Sequence, residues 1–224
     1  MIRFIILGLS VLCYVPSSHA LELLIGPAFG HRTLSITENS TSNKVAEFQS
    51  DGVKISPYVS LRTEPFHWGV ESNWGISFSF DFYTSSFDNQ SVDHSLGSQY
   101  QVASMDTEIK GKSLYLTPIL YYQFGGNGPE RWQYRIGAGL GLGYQSHSGE
   151  FIVTNADHSN VGQRDKIEHS GYAVTGGVYF EASYGSHIVS LNGDLISADK
   201  SGAKYRYLEN NVSLKYQYRI KLFS

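Results

Sequence analysis

Apolar and polar positions alternate most cleanly along Trp132–Tyr144, WQYRIGAGLGLGY. Trp132, Tyr134, Ile136, Ala138, Leu140, Leu142 and Tyr144 form a greasy set that begins and ends in aromatics. Gln133, Arg135, Gly137, Gly139, Gly141 and Gly143 form a polar or side-chain-free set. A period of two means a β-strand whose two faces meet different surroundings. At roughly 3.3 Å per residue the stretch extends about 43 Å, and a tilt of about 45° reduces that to about 30 Å, the depth of a bilayer's hydrocarbon core. A lone strand in lipid would leave its backbone unpaired, so the rest of the chain must close a barrel around it.

Seven further stretches carry the pattern. The first strand spans about Glu22–Arg32, with Leu23, Ile25 and Phe29 outward and the small set Gly26, Ala28 and Gly30 inward. The second spans Val53–Thr63, weakened by Pro57, which lacks a ladder donor. The third spans Trp68–Tyr83, with Trp74, Ile76, Phe78, Phe80 and Phe82 on one face. The fourth is Ser113–Phe124 and the fifth Trp132–Tyr144. The sixth is Gly171–Tyr184, the seventh His187–Ile196 and the eighth Tyr205–Phe223. Polar loops are expected at Thr37–Asp51, Thr84–Lys112 and Gln145–Ser170, short turns at Thr63–His67, Gly125–Glu130 and Gly185–Ser186, and a moderate loop at Ser197–Lys204. This long-short rhythm is that of outer-membrane barrels, with long loops outside and tight turns in the periplasm. The expected fold is all-β: an eight-stranded antiparallel up-and-down transmembrane β-barrel.

The N-terminus adds an address. Residues 1–20 read as a signal peptide, with Arg3 at its start, an apolar run over Phe4–Val15 and a small-x-small site at Ser18-His19-Ala20. The barrel would then occupy residues 21–224. Cys13 is the single cysteine, preceded by Leu12 where a lipoprotein site wants a small residue. Beyond the leader no disulfide framework is possible. A formal charge of −3 gives no hint of nucleic-acid binding. Mean hydropathy is −0.22, as expected where apolar residues are spread by alternation rather than massed in a helix.

Eight strands enclose a bore that side chains can fill. The inward parity supplies Glu22, Lys54, Arg62, Glu71, Asp81, Arg135, Glu181, Asp194, Lys215, Arg219 and Lys221, a nearly balanced set. Buried charges need partners. A hairpin turning at Thr63–His67 would set Arg62 against Glu71 near the periplasmic end and Lys54 against Asp81 near the outer end. Glu22 would meet Arg219 or Lys221 across the closure, and Arg135 could meet Glu181. The glycine row opposite Leu140 leaves room for the lumen tyrosines Tyr115, Tyr121 and Tyr179. A phosphate-cradling loop would need a helix after the glycines, and none follows. Trp68, Trp132, Tyr134, Tyr144, Tyr216 and Tyr218 are the expected aromatic girdle at the membrane interfaces.

Leader, eight alternating strands, loop rhythm and an apolar last strand together resemble the small eight-stranded outer-membrane β-barrel proteins of the OmpA-transmembrane, OmpX and opacity-protein type. The resemblance covers the chain after the leader and rests on pattern, not on a diagnostic motif. It implies residence in the cell outer membrane, contact with outer-membrane lipid and lipopolysaccharide, and insertion by the barrel-assembly machinery. That machinery reads an alternating last strand with an aromatic end. Tyr216, Tyr218, Ile220 and Leu222 suit it, whereas Phe223 is penultimate, inward by parity, and followed by Ser224. No peptidoglycan-binding domain follows, so wall anchoring is not implied.

Chemistry is weighed against this scaffold. Ser146, His147, Ser148 and Glu150 sit just past the fifth strand, and lipid A deacylases of the barrel type place a His, a Ser and an acid near the outer rim. A hydroxyl nucleophile needs a base in reach and a third group to orient it. The spacing departs from the deacylase pattern of His and Ser two apart within a strand, and a polar loop base is the plainer reading. His94, His158 and His169 lack metal-site spacing, and Asp88, Asp93 and Asp106 lack the alternation and glycine turn of a calcium loop. No metal or cofactor is expected. The function expected is structural or surface-interacting (adhesion, envelope integrity or host contact), carried by extracellular loops that could hold a ligand. A lipid-modifying enzyme and a narrow solute channel stand as alternatives. A soluble sandwich would need the apolar faces to pack on one another, which eight near-complete faces with terminal aromatics make less economical.

Overall fold

The structure, a computed structural model, describes residues 21–222 apart from 39–43, 51, 68–72, 89–93, 96–100, 103, 127, 129, 156–163 and 200–204. The leader, Trp68, Glu71, Asp93, His158 and Phe223 therefore lie outside the described residues.

In chain order the strands are β1 (Leu21–Glu38), β2 (Lys44–Gln49), β3 (Lys54–Thr63), β4 (Phe66–His67), β5 (Trp74–Asp88) and β6 (His94–Ser95). They continue with β7 (Gln101–Val102), β8 (Ser104–Gly125), β9 (Gln133–Asn155), β10 (Arg164–Tyr184), β11 (His187–Asp199) and β12 (Tyr205–Lys221). Eight of these build the wall in the order β1, β3, β5, β8, β9, β10, β11, β12, each antiparallel to the next. The last returns to the first, from Glu22↔Lys221 to Glu38↔Tyr205. The wall is thus a closed up-and-down barrel, the arrangement that removes sheet edges. Of the short strands, β2 pairs with the outer part of β1, β4 with the start of β5, and β6 only with β7.

Parity fixes the two faces. Outward side chains are apolar and bare: Leu140 is 73% exposed and Ile55 70%. The belt runs on through Val59, Phe82, Val178, Leu191 and Val212. A contiguous apolar surface of this size is a liability in water and the normal outer face of a barrel in lipid. No described helix is long and apolar enough to cross a membrane, and strands do the crossing here. Inward side chains pack in layers. Tyr58, Tyr83 and Tyr115 cluster with Ala28, Ala173, Ile196 and Ala198 at mid-height. Leu34, Ile36, Phe48, Phe87 and Ile109 cluster at the outer end.

Two sequence expectations need correction. The polar stretches beginning at Thr37, Thr84 and Gln145 read as loops, yet much of each is strand. β9 alone has 23 residues, about 75 Å at roughly 3.3 Å each, far more than a tilted crossing needs. Beyond the lipid the outward face meets water, so polar residues occupy both parities and the alternation fades while the ladder continues.

The second correction concerns register. Phe66 and His67 still pair with Ile76 and Gly75, so the hairpin connection lies between His67 and Trp74, not at Thr63–His67. That slides β3 against β5 and sets Ser60 opposite Asp81 and Arg62 opposite Ser79. On this register Lys54 and Asp81 are not opposite one another, and Glu71, the expected partner of Arg62, lies outside the described residues. Lys54 lies opposite Gly30 on β1 instead. At the other short turn, Gly185 has φ 57°, the left-handed backbone that a two-residue hairpin loop uses.

Candidate functional site

The inward charges assemble into three tiers. The lowest is centred on Arg62, a side chain placed by β3. Its Nη1 donates to Glu181 Oε2 at 2.6 Å and its Nη2 faces Glu22 Oε2 at 3.5 Å. Glu181 on β10 stands opposite Arg135 on β9, whose Nη1 donates to Glu181 Oε1 at 3.2 Å and whose Nε donates to Gln123 at 2.9 Å. Arg219 on β12 reaches Glu22 Oε1 at 3.3 Å and also donates to the carbonyl of Gly185 at 2.8 Å, tying the layer to the tight turn. Arg62, Glu22, Arg135 and Glu181 are all buried. Each acid faces two guanidiniums, and each fork is shared. This multiplicity offsets the desolvation of charges that a single pair would not repay.

Lys221 does not belong to this set. It is directly opposite Glu22 in the ladder, but it sits at the end of β12 where its side chain is 58% exposed and bonds Glu64 at 2.7 Å.

Above the lowest tier is a chamber of about 90 Å³, lined among others by Asp81, Asp194 and Lys215. It has room for several waters. The Tyr58 hydroxyl donates to Asp81, and Asn211 Nδ2 donates to Asp194 at 3.0 Å. Lys215 Nζ lies 4.2 Å over the Tyr58 ring, a buried cation–π contact. Tyr83 and Tyr115 stack at 5.8 Å and close the chamber from above.

The glycine row serves this packing. A Cβ on Gly143 would lie 2.1 Å from the Leu114 carbonyl and 2.3 Å from the Tyr115 ring. One on Gly137 would lie 2.6 Å from the Tyr179 ring. At Gly137 and Gly143 the large neighbours are the expected lumen tyrosines, whereas Gly139 and Gly141 make room for Thr117 and Thr175, and Tyr121 fills the space beside Gly75 rather than the row.

The uppermost tier is one that the sequence reading misses as a unit. Glu209 on β12 is fully buried. It faces Arg32 Nη1 at 3.6 Å, accepts from Gln145 Nε2, and lies 3.3 Å from His147 Nε2. Arg32 also donates to the Thr84 carbonyl at 3.0 Å and sits 4.7 Å over the Tyr83 ring. The His169 and Tyr207 rings stack at 3.8 Å, with His147 6.1 Å from Tyr207. Gln145, His147 and His169 recur at inward parity inside the stretch expected to be a loop. That periodicity is the available signal, hidden because its outward neighbours are polar too.

The set Ser146, His147, Ser148 and Glu150 does not come together. All four lie on β9, where successive side chains leave opposite faces. His147 is buried in the lumen at 1% exposure, while Ser148 and Glu150 are exposed on the outer face. Glu150 pairs with Lys166 at 3.5 Å. The imidazole is thus on the far side of the wall from these hydroxyls and cannot act as their base. Among the described residues, no three His, Asp or Glu side chains converge on a metal position.

Aromatics mark the lower edge of the lipid belt. Trp132 lies 5.5 Å from Tyr184, Phe124 5.4 Å from Tyr134, and Trp74 5.2 Å from Tyr122. Tyr216 and Tyr218 continue this girdle beside His187. The upper edge is thinner, with Tyr144 and Tyr172 6.3 Å apart.

No protein-family model matches the chain, and no curated protein matches it either. Solved structures do resemble it. Ail, the attachment invasion locus protein of Yersinia pestis, matches with a TM-score of 0.38 at 13% identity, covering 89% of this chain and 99% of Ail. Neisserial surface protein A matches with a TM-score of 0.41 at 13% identity, over 92% of this chain and 98% of that one. A major outer membrane protein of Thermus thermophilus matches with a TM-score of 0.40 at 12% identity, over 87% of this chain and 99% of that one. Scores and identities this low carry no argument about what this chain does; its fold rests on the strand count and closure described above.

Proposed function

We propose that this protein is an outer-membrane barrel with a sealed bore that acts through its outer surface, in adhesion, envelope support or host contact. The observation that carries this reading is the contrast between its interior and its outer end. The bore is crossed at three heights, by the Arg62–Glu181 ion pairs, by the stacked Tyr83 and Tyr115, and by the Leu34–Phe87 cluster, and the Ser146–Glu150 set is split between the two faces of the wall. Meanwhile β8, β9 and β10 run on beyond the lipid belt, as an outward-presented sheet on a rigid base. Contact with lipopolysaccharide and insertion by the assembly machinery follow from that location.

The test is a comparison of cells. One set displays the whole chain and the other displays a chain in which residues 148–168 are replaced by an Asn-Gly turn. The shortened barrel should still fold and reach the membrane, and should lose attachment to host-cell or matrix-coated surfaces. Equal attachment by both would refute the reading. Single-channel conductance from the purified barrel in vesicles would refute the sealed bore.

A further inference from the structure

Lys215 on β12 is a buried charge that no carboxylate holds. It is 8% exposed. Among the described residues its Nζ makes no hydrogen bond or ion pair, and its contact is the Tyr58 ring at 4.2 Å. The stem runs between small neighbours, because its ladder partners are Ala28 on β1 and Ser190 on β11. The ammonium ends in the chamber of about 90 Å³ that Lys215, Asp81 and Asp194 line. Gly139 and Gly177 line it too, and Leu140 and Val178, next to them in the chain, are exposed on the lipid face. The chamber is thus at the depth of the hydrocarbon belt, where a charge without hydrogen-bond partners is costly.

Neither acid is turned onto Lys215. Asp81 accepts from the Tyr58 hydroxyl and from Ser79 Oγ, the latter at 2.8 Å. Asp194 gives Oδ2 to Asn211. Its Oδ1 leans over Gly177, 2.5 Å from where a Cβ would stand. The Tyr58 ring offsets part of the ammonium's charge but leaves three N–H donors in need of acceptors. What fits between ammonium and carboxylates is therefore small, accepts at one end and donates at the other. Charge argues against an ion in that place. Two acids and one base face the chamber above the lowest tier, a net −1. The tier beneath has three arginines and two glutamates, a net +1. The two layers balance, and an added ion would unbalance them.

From this geometry we infer that the chamber is a binding site for water, in which a small cluster accepts from Lys215 Nζ and donates to Asp194 Oδ1 and to Asp81. The charges then form a water-separated network that ties β12 to β11 and, across the bore, to β5. Water is both donor and acceptor, and a polar chamber of this volume holds several molecules. The hydroxyls of Ser60 and Thr175 in the chamber wall add partners of either kind. The site is independent of whatever the outer surface binds.

Water-edited solid-state NMR of the whole barrel in vesicles of phosphatidylethanolamine and phosphatidylglycerol tests this. Magnetisation passes from water to Lys215 Cε and Asp194 Cγ at a rate set by their contact with water. The internal standards are Ile196, inward and fully buried, and Leu140, facing lipid. Lys215 and Asp194 should build up at least two-fold faster than either standard. Build-up as slow as that of Ile196 overturns the site. So does a dipolar coupling that puts Lys215 Nζ in direct contact with either carboxylate. A shift of Asp194 Cγ when sodium is exchanged for N-methylglucamine would mark a bound cation and also overturn it. Ser60→Leu carries its side chain into the chamber and should slow transfer to Lys215 at least two-fold, whereas Ser60→Ala should leave it unchanged. Heat-modifiable gel mobility reports that each variant is folded, and the wild-type comparison decides if Ser60→Leu does not fold. Unchanged transfer in folded Ser60→Leu overturns the water site and leaves the barrel and its outer surface as proposed.

Discussion

The two ends of the bore are built from different chemistry. Towards the tight turns, Glu22, Arg62, Arg135, Glu181 and Arg219 share hydrogen bonds, and every charge has at least one opposite charge in contact. Towards the outer loops one acid among the described residues is buried, Glu209, held by one arginine, one glutamine and one histidine under an apolar cluster. The lower tier lies level with the lower aromatic girdle, where Arg135 follows Tyr134 and Arg219 follows Tyr218, and its two acids are buried. The upper tier lies near the outer rim, where the surrounding strands are wetted on their outward face. A barrel can thus lock its turn end with redundant ion pairs and build its outer half like an ordinary soluble core, with ring stacks and aliphatic packing.

The largest effect that would break this comparison is in the lower tier. Glu181→Ala leaves Arg62 and Arg135 buried without their shared acceptor, and should cost about 3–5 kcal/mol. Urea unfolding in vesicles measures it, and a loss under about 1 kcal/mol would show that the tier is not a lock. Next is the packing between tiers. Gly143→Ala drives a methyl into the Leu114 backbone and the Tyr115 ring and should cost about 1–3 kcal/mol, whereas Gly176→Ala on the lipid face should stay within about 1 kcal/mol. Equal costs would mean that the glycine row is not space for the tyrosines.

A third substitution sharpens the contrast by location. Glu209→Gln should lower hydrogen-exchange protection in the outer parts of β8, β9 and β10, while β9 below Tyr144 keeps its protection. A uniform fall along β9 would show that the two halves are one cooperative unit. The smallest effect belongs to the exposed pair Glu150–Lys166. Glu150→Ala should change stability by no more than about 0.5 kcal/mol.

How much of this can be read from the chain depends on which contrast the residues record. Alternation records lipid against lumen, so it assigns Leu140 and Arg135 to opposite faces correctly and reveals all eight wall strands. Where the outside is water the contrast vanishes, and the strand continuing through Gln145, His147 and Gly149 looks like a loop. Register inside a hairpin depends on where the chain turns, and Phe66–His67 still pair after the point where polar residues suggest a turn. Contacts across the bore depend on the stagger of the whole barrel. Arg62 and Glu181 are 119 residues apart, and no local pattern announces that they meet. Arg135 and Glu181 are easier, because they are opposite one another on sequence-adjacent strands.

The central claim is that β9 is one continuous strand that passes from lipid into water near Tyr144. Arginine placed singly at Ile136, Leu140, Tyr144 and Ser148, all outward on that strand, tests it directly. Measured by reversible unfolding in vesicles, the cost should peak at Leu140 at about 2–4 kcal/mol and decline towards about 0–1 kcal/mol at Ser148. A flat profile along the four positions, or a peak at Ser148, would contradict it.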